Sequence, residues 1–276
     1  VGYNTLGLQT YTNGNTPYDA RNTAVGYAAL FYNSPNSTST GTDNTAIGAQ
    51  ALYENSTGYD NTALGVSALF NNSTGYGNTA VGLACLNDLT TGDYNTALGY
   101  NAGPTSTYPA LNNTSCIGNG AAVTASNNIR IGNSSITSIS GQVGFSYPSD
   151  GRFKNDIRED IPGLGFVMQL RPLSYYFDAH SYNDFLGIED DTDWEGKYDI
   201  EKIRFSGFIA QDVEKAAQNI GYDFSGIDKT GTTLGLRYSE FVVPLVKAIQ
   251  EQQDIILTQQ KMIEEMGRRL EALEKR

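Results

Sequence analysis

The 276-residue sequence predicts a chain that is mainly β and then α/β: N-terminal β-solenoid or β-roll repeats, a small α/β domain, and a C-terminal coiled-coil helix. Three observations carry that expectation. A five-residue motif recurs at fixed spacing through the first part, composition breaks sharply near Tyr147–Gly151, and a heptad pattern runs on from Val242. They divide the chain into a repeat shaft (1–126), a β neck (127–148), an α/β domain (149–241) and a coiled coil (242–276).

The motif reads Asn22-Thr-Ala-Val-Gly26, Asn44-Thr-Ala-Ile-Gly48, Asn61-Thr-Ala-Leu-Gly65, Asn78-Thr-Ala-Val-Gly82 and Asn95-Thr-Ala-Leu-Gly99. Degenerate copies begin at Asn4 and Asn113, and the three central steps are each 17 residues. Most copies continue with a small residue and leucine: Ala29-Leu30, Ala51-Leu52, Ala68-Leu69, Cys85-Leu86. A fixed period means stacked units that cannot bury their apolar faces alone. Seventeen residues is too short for a helix pair, and Asn, Gly and Thr disfavour helix. Each unit is therefore expected to be a coil of short strands and turns. Ala and the following aliphatic residue should point inward, Gly should take left-handed turn positions, and Asn-Thr should mark the corners. Cys85 and Cys116 fall in small apolar slots and read as buried packing residues rather than reactive thiols. Tyr53, Tyr59, Tyr76 and Tyr94 offer flat faces that suit a host cell-surface glycan, although covering the corners of a thin solenoid is the simpler reading. The repeats resemble the head repeats of trimeric autotransporter adhesins and the shafts of some phage tail fibres.

The neck, from Asn127 through Val143, Phe145 and Tyr147, alternates at period two near its end and reads as strand. After it comes Ser149-Asp150-Gly151-Arg152-Phe153-Lys154-Asn155-Asp156-Ile157. Taken alone this is a polar turn, with Asp-Gly as its signal. The pattern Ser-Asp-x-Arg-φ-Lys-x-x-Ile (φ apolar) is similar to the opening of the endosialidase-type intramolecular chaperone domain. Phage tail fibres and spikes carry that domain, as do some bacterial surface proteins and a membrane-bound animal transcription factor. Three further blocks follow in order: Gln169 to Phe177, Phe205 to Glu214, and Tyr238 to Gln250.

The resemblance implies a homotrimer whose chaperone part cuts itself off after assembly, at the bond before the serine. It makes Ser149 the nucleophile, Lys154 the general base, and Pro148–Ser149 the scissile bond, with Asp150 and Arg152 in support. A lysine takes a proton from a hydroxyl only when neutral, which asks for burial or a nearby cation to pull it below its free value of about 10.4. Arg152 is placed to supply part of that push, or to pair with Asp150 as plain structure. Residues five apart point to opposite faces of a strand and lie roughly 140° apart on a helix. A straight element therefore cannot join Ser149 to Lys154. Either the Asp150-Gly151 turn folds them together or the lysine comes from a neighbouring copy. Pro148 makes the amide before it tertiary and fixes the backbone beside the cut.

The heptad places Val242, Ile249, Ile256, Ile263 and Leu270 at a, and Leu245, Gln252, Gln259, Met266 and Leu273 at d. Spacings that alternate three and four for this long indicate a coiled coil, here the core of the trimer. The two Gln layers set register better than they stabilise. Pro244 suggests that the continuous helix begins near Val243.

Composition excludes much else. A formal net charge of −12 and a pI near 4.5 argue against nucleic-acid binding. No run of about 18 apolar residues exists to insert into a membrane. Two cysteines and one histidine, His180, cannot make a Cys-based zinc site or most His-metal sites, so neither metal nor cofactor is expected. The stretch Asp178 to Asp199 reads as loop or hairpin, with Glu189, Asp190, Asp191 and Asp193 as a solvated acidic run lacking the spacing of a calcium loop. The chain starts at Val1 without a leader, which reads as a fragment or processed form.

The expected function is the C-terminal part of a trimeric tail fibre or spike. Its chaperone drives trimerisation and folding of the solenoid and releases itself by Ser/Lys autocleavage. Its place is the virion. The alternatives are an uncleaved trimeric adhesin on an extracellular bacterial surface and a polysaccharide-degrading spike. The latter typically needs two placed carboxylates, while residues 1–148 offer Glu54 and scattered Asp.

Overall fold

The computed structural model describes residues 1–7, 19–188 and 193–275; Glu189, Asp190 and Asp191 lie outside them. Two compact units result. One joins Val1–Ile139 with Tyr176–Ile203, and the other joins Ser140–Tyr175 with Arg204–Arg276.

The first unit is a β-solenoid. Its strands are β1 (Thr23–Val25), β2 (Thr45–Ile47), β3 (Thr62–Leu64), β4 (Thr79–Val81), β5 (Thr96–Leu98), β6 (Ser115–Ile117) and β7 (Ile129–Ile131). They form one parallel sheet in sequential order, with every Ala against the equivalent position of the next coil. Cys116 and Arg130 continue that row in the last two strands. Residues 127–131 thus form a final rung of the sheet.

Strand polarity corrects the expected core. In β1 to β6 the central residue is buried, so both neighbours point outward, while Arg130 at the centre of β7 is half-buried. Ala46, Ala63 and Ala80 are fully buried, whereas Leu64 is 44 % exposed and Leu98 51 %. The larger core side chains come from the second half of each coil: Leu30, Leu52, Leu69 and Leu86, beside Ala29, Ala51, Ala68 and Cys85. A three-residue strand has room for one inward side chain, and the small one takes it because the coil is thin.

The turns are also built differently from expectation. Glycines such as Gly41 and Gly77 (φ 64° and 65°) do take left-handed positions, but most left-handed corners belong to non-glycine residues, among them Asp43, Gln50 and Leu52, with φ of 56°, 59° and 49°. The motif glycine serves closeness instead. A Cβ on Gly65, whose φ is +142°, would lie 2.3 Å from the carbonyl oxygen of Gly82 in the next coil.

The motif asparagines are buried ladders rather than corners. Asn61 N–H donates to Asn44 Oδ1 (3.1 Å), Asn78 N–H to Asn61 Oδ1 (3.0 Å) and Asn95 N–H to Asn78 Oδ1 (2.8 Å). Each amide nitrogen also closes a loop, as from Asn61 Nδ2 to the Gly75 carbonyl at 2.8 Å. In the sixth coil, two residues longer than the one before, Asn113 falls in the left-handed slot and Thr114 takes the ladder position, giving both N–H and Oγ1 to Asn95 Oδ1. A second buried ladder runs Asn72 to Asn55 to Asn33 through 2.9 Å amide bonds. It ends at Asn72, whose Oδ1 has no partner, because the next coil carries Leu89.

Aromatic rings stack along the same unit: Phe31, Tyr53 and Phe70 at 5.4 and 4.9 Å, and Tyr59 on Tyr76 at 4.7 Å with Tyr94 edge-on. Successive faces cover one another, as corner covers do. The thiols of Cys85 and Cys116 are pushed up to about 11 and about 12 by burial, so both stay protonated packing groups.

The stretch expected as loop or hairpin contains a helix in this unit, α2 (Ala179–Leu186). Asp178 caps its start by accepting from Ser181 N–H, and Gly187 ends it in the left-handed conformation.

The second unit holds α1 (Leu164–Val167), the pair β8 (Leu173–Tyr176) and β9 (Arg204–Gly207), α3 (Ala210–Asn219), the hairpin β10 (Ile227–Asp228) with β11 (Gly235–Leu236), and α4 (Val242–Glu274). Its core is aromatic: Phe166, Phe224 and Phe241 around Val213, Ala216 and Ala217. A 3-10 turn, Tyr238–Phe241, leads into α4, so the helix starts at Val242 and Pro244 sits in its first turn, where no helical N–H is needed. Near its start, α4 packs on α1, and Glu251 Oε2 accepts from Leu164 N–H at 2.7 Å.

One neck reading fails. Val143, Phe145 and Tyr147 are 87 %, 85 % and 74 % exposed, and no strand forms there. Alternation alone cannot hold a strand without an edge to take its backbone hydrogen bonds.

Asn61→Ala strands the Asn78 N–H, so it should destabilise the solenoid by about 1–3 kcal/mol. The midpoint of urea unfolding should fall accordingly, while the same change at exposed Asn119 should leave it nearly unmoved.

Candidate functional site

The motif 149–154 forms a single built turn. Asp150 is extended and caps the 3-10 turn Gly151–Phe153, accepting Arg152 N–H at 2.9 Å. Lys154 N–H closes the turn on the Gly151 carbonyl at 3.2 Å. The reversal carries Lys154 back over Ser149, and Nζ lies 2.9 Å from Ser149 Oγ. The turn within one chain thus suffices to bring the two side chains together.

Arg152 takes the structural option. Its Nη2 meets Asp150 at 2.6 Å and its Nε at 3.0 Å, a two-pronged pair. The Arg152 guanidinium holds the Asp150 carboxyl below its ordinary range, and Asp150 raises Arg152 in return. The arginine charge is thereby matched locally rather than turned on the lysine. Pro148, Ser149 and Lys154 are all exposed, as are the residues on either side. The turn thus has hydrogen-bond distance between hydroxyl and amine, and it lacks a cover that would exclude water.

The ten seam residues share α4. Val242, Leu245, Ile249, Ile256, Ile263, Met266, Leu270 and Leu273 are 40 to 65 % exposed, and Gln252 and Gln259 are exposed too. Glu265 pairs with Arg269 one helical turn on.

One cluster went unmarked in the sequence. Asp178, His180 and Glu201 bring their ligand atoms within 4.8 Å of one another. Glu201 Oε1 accepts from Ala179 N–H, from His180 N–H and, at 2.7 Å, faces His180 Nδ1, while the His180 ring stacks on Tyr198. Both carboxylates are engaged in holding the start of α2, which accounts for the cluster as structure. Glu201 lies 21 residues beyond His180, so no local motif announces the pair.

Against known proteins, residues 149–222 match the family model described as chaperone of endosialidase. That span begins at Ser149 and takes in the dyad turn, β8 and α3, while the Tyr238 to Gln250 block lies beyond it. No curated protein and no solved structure matches the chain. The chain therefore carries a segment of chaperone-of-endosialidase type in company with a β-solenoid.

The Glu201 carboxyl is held below its ordinary value of 4.5, chiefly by its hydrogen bond with His180. Its contribution is fully present above pH 4.5 and is lost as pH falls through the depressed value. Acidification should therefore fray the start of α2, seen as lower amide protection factors, corrected for the intrinsic pH dependence of exchange, at Ala179 and His180. Glu201→Gln should exchange faster already at neutral pH.

Proposed function

We propose that residues 149–276 are an intramolecular chaperone that trimerises the chain, lets the β-solenoid fold in register, and then releases itself by cutting before Ser149. The reading makes the protein the C-terminal part of a tail fibre or spike on a virion. The observation that carries it is the long unpartnered seam: a 33-residue helix whose a and d side chains are exposed along its length. A single copy leaves that apolar row in water, and a bundle of copies buries it.

The chemistry follows from connectivity. Ser149 Oγ is close to its own preceding carbonyl, since attack closes a five-membered ring through Cβ, Cα and N. Lys154, once neutral, takes the hydroxyl proton as Oγ adds to the Pro148 carbonyl carbon. Collapse breaks the C–N bond, with the proton passed to the departing Ser149 nitrogen, and leaves an ester between Pro148 and Ser149 Oγ. Water then hydrolyses the ester, freeing the Pro148 carboxylate and restoring the hydroxyl. No other co-reactant is needed. The exposed state of Lys154 in one chain fits a base that is switched on only when neighbouring copies close over it and exclude water.

Expression of the chain beside Ser149→Ala and Lys154→Ala tests both halves. The parent should give fragments of 148 and 128 residues on a denaturing gel, and either variant one intact band. Light scattering on the intact variants should give three times 29.9 kDa. A mass of one copy would overturn the chaperone reading, and an uncut parent of trimeric mass would remove self-cleavage alone.

A further inference from the structure

The solenoid carries an apolar face that its own core does not use. Val25, Ile47, Leu64, Leu98, Ile117 and Ile131 stand one per coil on the outward side of the sheet, each 38 to 51 % exposed. Strand register fixes them in a row, rung by rung, at the strand spacing of about 4.8 Å. Beyond the motif glycine a second row runs beside it, with Tyr27, Val66, Leu83 and Tyr100 at 47 to 54 % exposed.

Charge sets this face apart. The chain bears a net charge of −12, yet in none of the seven strands is either outward position charged; they hold Thr, Ser and aliphatic residues only. Two such chains meet here without an ionic penalty. The area is also adequate. The ten side chains present on the order of 900 Å² in all, against about 800 Å² per partner in a standard interface. A partner with a different repeat would leave rungs unmatched. A second copy has the same row at the same spacing, so ridge and groove interleave along the whole length.

We infer that this outward aliphatic row is where the shafts of neighbouring copies of this chain pack against one another, a surface distinct from the helical seam. The inference rests on the reading that copies assemble. It is tested in the full chain with single Leu64→Cys, Leu98→Cys, Ile256→Cys and Asn36→Cys variants, each treated with a short bis-maleimide. Cys85 and Cys116 are fully buried, so the parent serves as the blank. The expected result is covalent multimer from Leu64→Cys and Leu98→Cys, and its loss in exposed Asn36→Cys. Multimer from Ile256→Cys without any from Leu64→Cys and Leu98→Cys overturns the shaft face and leaves assembly standing. Equal capture at Asn36→Cys overturns it as well. Failure at all three seam and shaft sites, with the mass of one copy, ends both readings.

Discussion

The close stacking of successive coils is the constraint on which the solenoid depends. From Gly26 to Gly99 the motif glycine comes so near the next coil that any side chain would strike backbone, and the motif asparagine bonds the coils on either side of it. The glycine cannot take a side chain without opening the stack, and the ladder position needs a polar side chain, as Thr114 supplies in the sixth coil. This explains why a core as slight as Ala and Leu suffices. Buried amides are costly unless satisfied, but here each satisfies the next, so the ladder adds rigidity where apolar volume is small. It also explains the aromatic stacks. With thin coils the corners are close to water, and a ring laid on the ring below shields both.

The same regularity creates a problem that a second element must solve. The Thr-Ala-φ rungs are nearly identical, so two shafts displaced by one coil would match almost as well as two in register. Nothing in the repeat itself distinguishes the alternatives. The helix α4 does differ along its length, with Ile, Gln, Met and Leu layers in a fixed order. The Gln layers penalise shifted pairing, because a one-heptad slip, although it sets Gln252 against Gln259, leaves the remaining Gln positions facing Leu245 and Met266. A helical bundle also forms from local contacts and is quick, whereas side-by-side shafts need many distant pairings at once. Under the proposed function, the helix therefore fixes register before the shafts commit.

Much of this was legible in the sequence, and the exceptions share a cause. The 17-residue period and the heptad reflect repeated geometry, which a one-dimensional pattern records faithfully. What misled was direction. Val25, Ile47 and Leu64 were expected inside because they are apolar, but in a three-residue strand the period of two sends the middle residue in and the larger one out. The buried Asn33, Asn55 and Asn72 recur with the coils yet lie among other polar loop residues, so nothing marked them as interior. The helix Ala179–Leu186 was hidden by its composition, since its end signals, Asp178 and Gly187, also read as turn residues. For the candidate site the residue types and the turn were readable, while the pairing of Arg152 with Asp150 was one of two open choices that only geometry resolves.

Under the proposed function, the form of the dyad turn bears on why cleavage would wait for assembly. A serine and a lysine already 2.9 Å apart need no rearrangement to meet, so proximity cannot be the control. Nor can the neighbouring arginine, whose charge is taken up by Asp150. What one chain lacks is cover, since every residue from 136 to 160 is exposed, and the apolar side chains of Ile136, Ile139, Val143, Phe145, Phe153 and Ile157 all stand largely in water. Those side chains surround the turn in sequence on both sides. If copies come together, the apolar residues are the first to be driven out of water, and the turn between them is carried into the same low-dielectric setting. Desolvation disfavours the charged amine and makes a base of it. Burial of hydrophobic surface and activation of the lysine would then be one event, and the cut would follow assembly without any separate sensor.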